Sequence, residues 1–120
     1  MRPIGKLTLN CEFKRVYYRA KYKAHPLLVT YALKNRLGHC RIGITTSKKI
    51  GNAVKRNRAR RIIMAAVREV FPLIEWPCGF DIVLVARPKT VEVKSTDVAK
   101  VLQKQMQTLL KSAPSGRGQG

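Results

Sequence analysis

"SKKIGNAVKRNRARRIIMAAVREV" spans residues 47–70, and its two halves obey different rules. In the second half Ala59, Ile62, Ile63, Ala66, Val67 and Val70 recur at i, i+3, i+4, i+7, i+8 and i+11. That spacing predicts a helix from about Ala53 to Val70, capped by Asn52, with one apolar stripe turned toward a sheet. In the first half, Lys48, Lys49, Lys55, Arg56, Arg58, Arg60 and Arg61 are seven cations among the fifteen residues 47–61, with no acid between them. Like charges at i,i+4 oppose a helix, and cations at its start face the positive end of the macrodipole at about 0.3–1 kcal/mol each. A segment shaped for stability alone would mix its signs. At about 100° per residue, Asn57, Arg60, Arg61 and Arg68 project opposite the stripe and Arg58 lies on a flank. Lys55 and Arg56 fall on the buried azimuth of the first turn. Neither can be buried unpaired, so that turn is expected to overhang the sheet and line an open groove. The pattern reads as a polyanion-binding face, with helix-start N–H groups and arginine forks to take phosphates.

Strands flank this helix. In "CRIGITT" (40–46) Ile42 and Ile44 share a face, and in "LLVTYALK" (27–34) Leu27, Val29, Tyr31 and Leu33 do. The turn-forming "NRLGH" (35–39) joins the two as a hairpin. "FDIVLVAR" (80–87) is apolar at nearly every position, as a strand covered on both faces would be. A first helix follows Asn10, with Glu12 in its first turn and Phe13, Val16, Tyr17 and Ala20 on one face. A last helix starts near Ser95–Asp97 and carries Val98, Val101, Leu102, Met106, Leu109 and Leu110. The expected fold class is α/β (α+β), a two-layer sandwich over residues 1–111. "SAPSGRGQG" (112–120) is expected to be a disordered Gly-rich tail.

Composition narrows the partners. The chain has 120 residues, 25 Lys plus Arg against 6 Asp plus Glu, and a net charge of +19. Such a charge says little about fold and much about binding: nucleic acid comes first. An anionic membrane is disfavoured, because no stretch pairs a basic face with a bulky apolar one, and the lone Trp76 sits in "EWPCG". Cys11, Cys40 and Cys78 lack any paired spacing and read as free thiols in a reducing, cytoplasmic compartment. The six acids, Glu12, Glu69, Glu75, Asp81, Glu92 and Asp97, are scattered, and Asp81 reads as an ordinary strand residue. His25 and His39 sit beside turn residues and read as loop positions, so no acid–base pair suggests catalysis by the protein itself. Phe13, Tyr17 and Tyr31 read singly as core; together they could form a stacking platform for single-stranded nucleic acid beside the basic groove.

"KRNRARR" (55–61), preceded by "RIGITTSKKIGNAV" (41–54) and followed by "FDIVLVAR" (80–87), resembles the RNR signature of the bacterial ribonuclease P protein family. "NCEFKRVY" (10–17) is similar to that family's first helix and "VTYAL" (29–33) to its aromatic-bearing strand. The resemblance implies an αβββαβα fold with a small mixed sheet, a short strand near Tyr22–Lys23, and a left-handed crossover of the kind seen in ribosomal protein S5 domain 2. It implies a protein subunit of an endoribonuclease whose RNA subunit is catalytic and uses Mg²⁺, removing the 5′ leader of precursor tRNA. The partners implied are the catalytic RNA and precursor tRNA, with the protein monomeric outside the assembly and holding no stable metal itself. Lys48, Lys49, Lys55, Arg56, Asn57, Arg58, Arg60, Arg61 and Arg68 would meet the catalytic RNA, and Phe13, Tyr17 and Tyr31 the leader. A ribosomal or other structural RNA-binding protein is the competing reading.

Overall fold

In the computed structural model, which describes residues 4–6, 10–36, 38–73 and 79–112, the chain alternates strands and helices around one sheet. The elements are β1 (Ile4–Lys6), α1 (Asn10–Arg19), β2 (Lys21–His25), β3 (Leu28–Lys34), β4 (Cys40–Thr45), α2 (Ala53–Val70), β5 (Phe80–Ala86) and α3 (Ser95–Ser112). Short 3-10 turns at Lys48–Ile50 and Pro88–Glu92 lead into α2 and α3. The sheet runs β1-β4-β5-β3-β2; β1 and β5 lie parallel to β4, and β3 antiparallel to both β5 and β2. The hairpin expected of β3 and β4 does not form, because β5 inserts between them and pairs with both.

β5 is covered on both faces, as its nearly continuous apolar run predicts: Ile82, Val83 and Leu84 are fully buried. Its alternation sorts the two sides. Ile82, Leu84 and Ala86 join Leu28, Ala32 and Ile42 beneath α2 and α3, whose contributions are Ala59, Ile63, Ala66, Val67, Val70, Val98, Leu102, Met106 and Leu109. Val83 faces the other way onto Val16 of α1, with Phe13, Tyr31, Leu33 and Val85 around it. The fold class is the one expected, and α1 adds a third layer to the two foreseen. Burying a Leu- or Ile-sized side chain is worth about 1.5–3 kcal/mol, so the α2/α3 side holds most of the stability and α1 rides on a small cluster.

Two strands escape the sequence pattern. β1 is three residues long, and β2 ("KYKAH") has all five residues exposed, so neither shows apolar alternation. β2 lies where the resemblance implied a short strand, and it includes His25, which the sequence placed in a loop but which pairs with Leu28. Leu27 falls in the β2–β3 turn, while Val29, Tyr31 and Leu33 keep their shared face. Helix α3 ends at Ser112; residues 113–120 of the expected tail, with Trp76 and Cys78, lie outside the described residues. Cys11 is an exposed free thiol, and Cys40 is buried.

Two local devices set α2. Gly51 turns the chain at φ 135°, where a Cβ would come within 2.8 Å of the Lys55 side chain. Asn52 then caps the helix, its side-chain oxygen accepting from the Lys55 N–H at 3.0 Å. On the far side of the core, buried Gln105 pins α3 to the sheet. It accepts from Thr30 Oγ1 at 2.6 Å, and its Nε2 donates to the carbonyls of Lys23 and Leu28 at 3.1 and 3.0 Å.

Candidate nucleic-acid interface

The stripe of α2 is buried, so its cations are left on the outside. Lys48, Lys49, Lys55, Asn57, Arg58, Arg60, Arg61 and Arg68 are exposed and Arg56 is half-buried. The first turn of α2 therefore does not bury the cations that the helical azimuth would carry inward. Arg68 lies about 15 Å along the axis from Arg58, at 1.5 Å per residue, and stands apart from the basic first turns. Arg60 does more than face solvent. Its guanidinium donates to the Ile44 carbonyl at 3.2 Å and to Thr46 Oγ1 at 3.3 Å, which fastens it to the end of β4.

The same strand end reaches the aromatic residues. Tyr17 of α1 donates its hydroxyl to Thr45 Oγ1 at 3.1 Å. Its ring meets Tyr31 of β3 edge-on, with centroids 5.1 Å apart, and Tyr31 stacks on Tyr22 of β2 at 5.2 Å and 28°. Tyr17 and Tyr22 remain 39% and 57% exposed, so two rings of the cluster stay open for further stacking. Burial raises the Tyr31 hydroxyl above its ordinary pKa, and the neighbouring Tyr17 and Tyr22 hydroxyls add to the rise. Phe13 is half-buried against the Val16–Val83 cluster, on which Tyr31 also packs. Tyr18 is 90% exposed and has no ring partner among the described residues. Tyr22 is the member that sequence reasoning missed. Its signal is visible only once β2 pairs Tyr22 with Tyr31.

Asp81 corrects a sequence expectation: it is no ordinary strand residue. Fully buried, it accepts from Arg41 Nε and Nη2 at 2.9 and 2.8 Å, from Asn35 Nδ2 at 2.6 Å, and from Arg15 at 3.2 Å. Arg41 also donates to Glu12 at 2.6 Å, so two residues of α1, Glu12 and Arg15, are tied through one buried carboxylate to β4 and β5. Burial by itself would raise the Asp81 pKa, but the hydrogen bonds from Arg41 and Asn35, with the Arg41 charge, hold it below the usual carboxylate range. The Asp81 bonds hold the Arg41 guanidinium even more firmly charged than usual, against the cost of its burial. A sequence signal existed, because a carboxylate in a strand buried on both faces must be paired. The partners come from three distant segments and could not be named.

Chemically, the surface offers cations and stacked rings. Among the described residues no three His, Cys, Asp or Glu side chains gather as a metal site would require. The two best-placed acids, Glu12 and Asp81, are engaged by arginines. Among the described residues no helix is long and apolar enough to cross a membrane.

A family model described as Ribonuclease P matches residues 1–111. The ribonuclease P protein component of Thermoanaerobacter pseudethanolicus is 45% identical over 91 residues, 76% of this chain and 77% of the relative. That of Pelotomaculum thermopropionicum is 38% identical over 117 residues, covering 98% of this chain and 99% of its own. Among solved structures, the RNase P protein from Thermotoga maritima superposes with a TM-score of 0.70 at 28% identity, covering 88% of this chain and 96% of that one. The Staphylococcus aureus RNase P protein gives 0.68 at 28% identity, over 88% and 92%. With the fold, the RNR segment and these matches in agreement, the chain belongs to the ribonuclease P protein component family.

Proposed function

We propose that this chain is the RNA-docking and leader-holding subunit of a cytoplasmic ribonucleoprotein that removes the 5′ leader of precursor tRNA. In this reading the RNA subunit carries the chemistry and holds the Mg²⁺, and the protein supplies charge and stacking. The observation that supports it most is the shared strand end. Arg60 of the basic helix bonds to Ile44 and Thr46, and Tyr17 of the aromatic cluster bonds to Thr45 between them. The phosphate-binding face and the stacking cleft therefore border each other. A nucleic-acid strand leaving one can enter the other without crossing an acidic surface.

The physics fits a mediator between two RNAs. Two polyanions repel, and a chain of net charge +19 between them relieves that repulsion and releases counterions. Base stacking on aromatic side chains contributes about 1–3 kcal/mol per base without reading sequence, which suits leaders of varied sequence.

The direct test is cleavage of 5′-labelled precursor tRNA at low Mg²⁺ by protein alone, bacterial ribonuclease P RNA alone, and the mixture. Activity restricted to the mixture is the expected result. RNA binding without stimulation would instead favour a ribosomal or other structural RNA-binding role, and cleavage by the protein alone would overturn the division of labour. Within the assembled enzyme, Tyr31→Ala is expected to weaken precursor binding by about 1–2 kcal/mol while leaving mature tRNA unchanged, since only the precursor has a leader to stack. Equal losses for both would make Tyr31 a core residue only.

A further inference from the structure

Edge strand β2 serves two faces. Its register sets Tyr22 opposite Tyr31 on the α1 side, whereas Lys23 lies opposite Thr30 and His25 opposite Leu28, both of which face the α3 side. There Lys23 and His25 meet Lys100 and Lys104, one turn apart on α3, across an open groove that Gln103 and Gln107 also line. No carboxylate appears among its lining residues, and none of the three lysines makes an ion pair among the described residues. Lys100 and Lys104, at i,i+4, disfavour their own helix; Asp97, one turn before Lys100, is the nearest acid on α3 and does not line the groove. Beneath them Gln105 is fully bonded to Thr30, Lys23 and Leu28, which makes the groove wall rigid. His25 accepts the Leu27 N–H on Nδ1 at 3.0 Å, a bond that leaves Nε2 as a donor.

We infer that the groove between β2 and α3 takes the sugar-phosphate backbone of the distal leader: RNA stacked in the aromatic cleft passes over the open edge of β2 and continues along Lys23, Lys100 and Lys104. The inference rests on the cleft being the leader site. Its support is continuity and charge. β2 ends the sheet, so no further strand stands between the Tyr22 face and the Lys23 face. The groove also offers three ammonium groups, with no ion pair among the described residues, at the spot where a strand leaving the cleft would arrive.

The experiment uses holoenzyme assembled with wild-type protein or the triple variant Lys23→Gln/Lys100→Gln/Lys104→Gln. Precursor tRNAs carry leaders of about four and about sixteen nucleotides, the range of site sizes of single-strand grooves. The variant is expected to bind the short-leader precursor like wild type. With the long leader it should lose roughly tenfold or more in affinity, and about 2 from its log–log salt slope, at about 0.7 per phosphate contact. Equal binding of both leaders by variant and wild type overturns the proposal. So does an equal loss for both, or weaker binding of the protein to the catalytic RNA, either of which would assign the groove to that RNA. Tyr31→Ala run alongside separates the two readings. If it weakens both leader lengths while the triple variant shows no length dependence, the groove alone fails. If it affects neither, the cleft fails and the path over β2 fails with it.

Discussion

Replacing Asp81 by alanine is expected to lower the unfolding free energy by about 3–5 kcal/mol, the range for removing one partner of a buried charge network. The carboxylate has no solvent exposure, and Arg41, its main partner, is only 15% exposed. Without Asp81, Arg41 keeps Glu12 as a charged acceptor, and Asn35 loses its 2.6 Å side-chain bond. Chemical denaturation is the measurement, with the midpoint falling and the slope preserved if the native state stays compact. A loss below about 1 kcal/mol would mean that water or relaxation satisfies Arg41 and that the network is incidental. The change should also reach the aromatic cluster. Glu12 and Arg15 place α1 over the sheet through this network, and α1 carries Tyr17.

The acid limb of stability carries the same signature. The folded-state pKa of Asp81 lies below its ordinary value, so the unfolded chain binds the proton more readily. The stabilisation is therefore fully present above the unfolded carboxyl value of about 3.9 and is lost as pH falls through the lower folded value. Wild-type protein should lose stability on acidification more steeply than Asp81→Asn, whose amide does not titrate. Parallel curves for the two proteins below about pH 4 would show that Asp81 is not the group responsible.

The sequence was informative where a period repeats and silent where partners are distant. Helix α2 has the predicted bounds because six apolar residues hold the 3.6-residue spacing and Asn52 stands at the N-cap. β5 was legible because apolar character at six of seven residues, broken only by Asp81, has few other uses in a basic chain. β2 was not, because an exposed edge strand needs no apolar face; only its pairing with β3 reveals that Lys23 and Tyr22 serve opposite sides. The aromatic trio was half legible: spacing put Tyr17 and Tyr31 on apolar faces, but pairwise ring contact and the third ring depend on register. The Asp81 network joins Glu12, Arg15, Asn35 and Arg41, and no local pattern announces a contact between residues that far apart.

The same distinction between engaged and unengaged side chains ranks the arginines of α2. Arg58 and Arg61 are exposed and make no ion pair among the described residues, whereas Arg60 is bonded to the end of β4. In a protein whose helix binds the catalytic RNA, Arg58→Ala/Arg61→Ala should remove two phosphate contacts and little else. The log–log salt slope of RNA-subunit binding is then expected to fall by about 1.4–1.8, equivalent to a roughly 20- to 60-fold loss of affinity near 0.1 M salt. Thermal stability should hold or rise slightly, because two like charges leave a self-repelling face. Arg60→Ala should behave differently. It removes a cation and also frees Ile44 and Thr46 beside Tyr17, so part of its loss should persist at high salt, where counterion release contributes little. Titrations of labelled RNA subunit at several salt concentrations measure both effects. An unchanged slope in the double variant, with the fold intact, would show that the basic face of α2 does not hold phosphates and would remove the electrostatic basis for RNA docking.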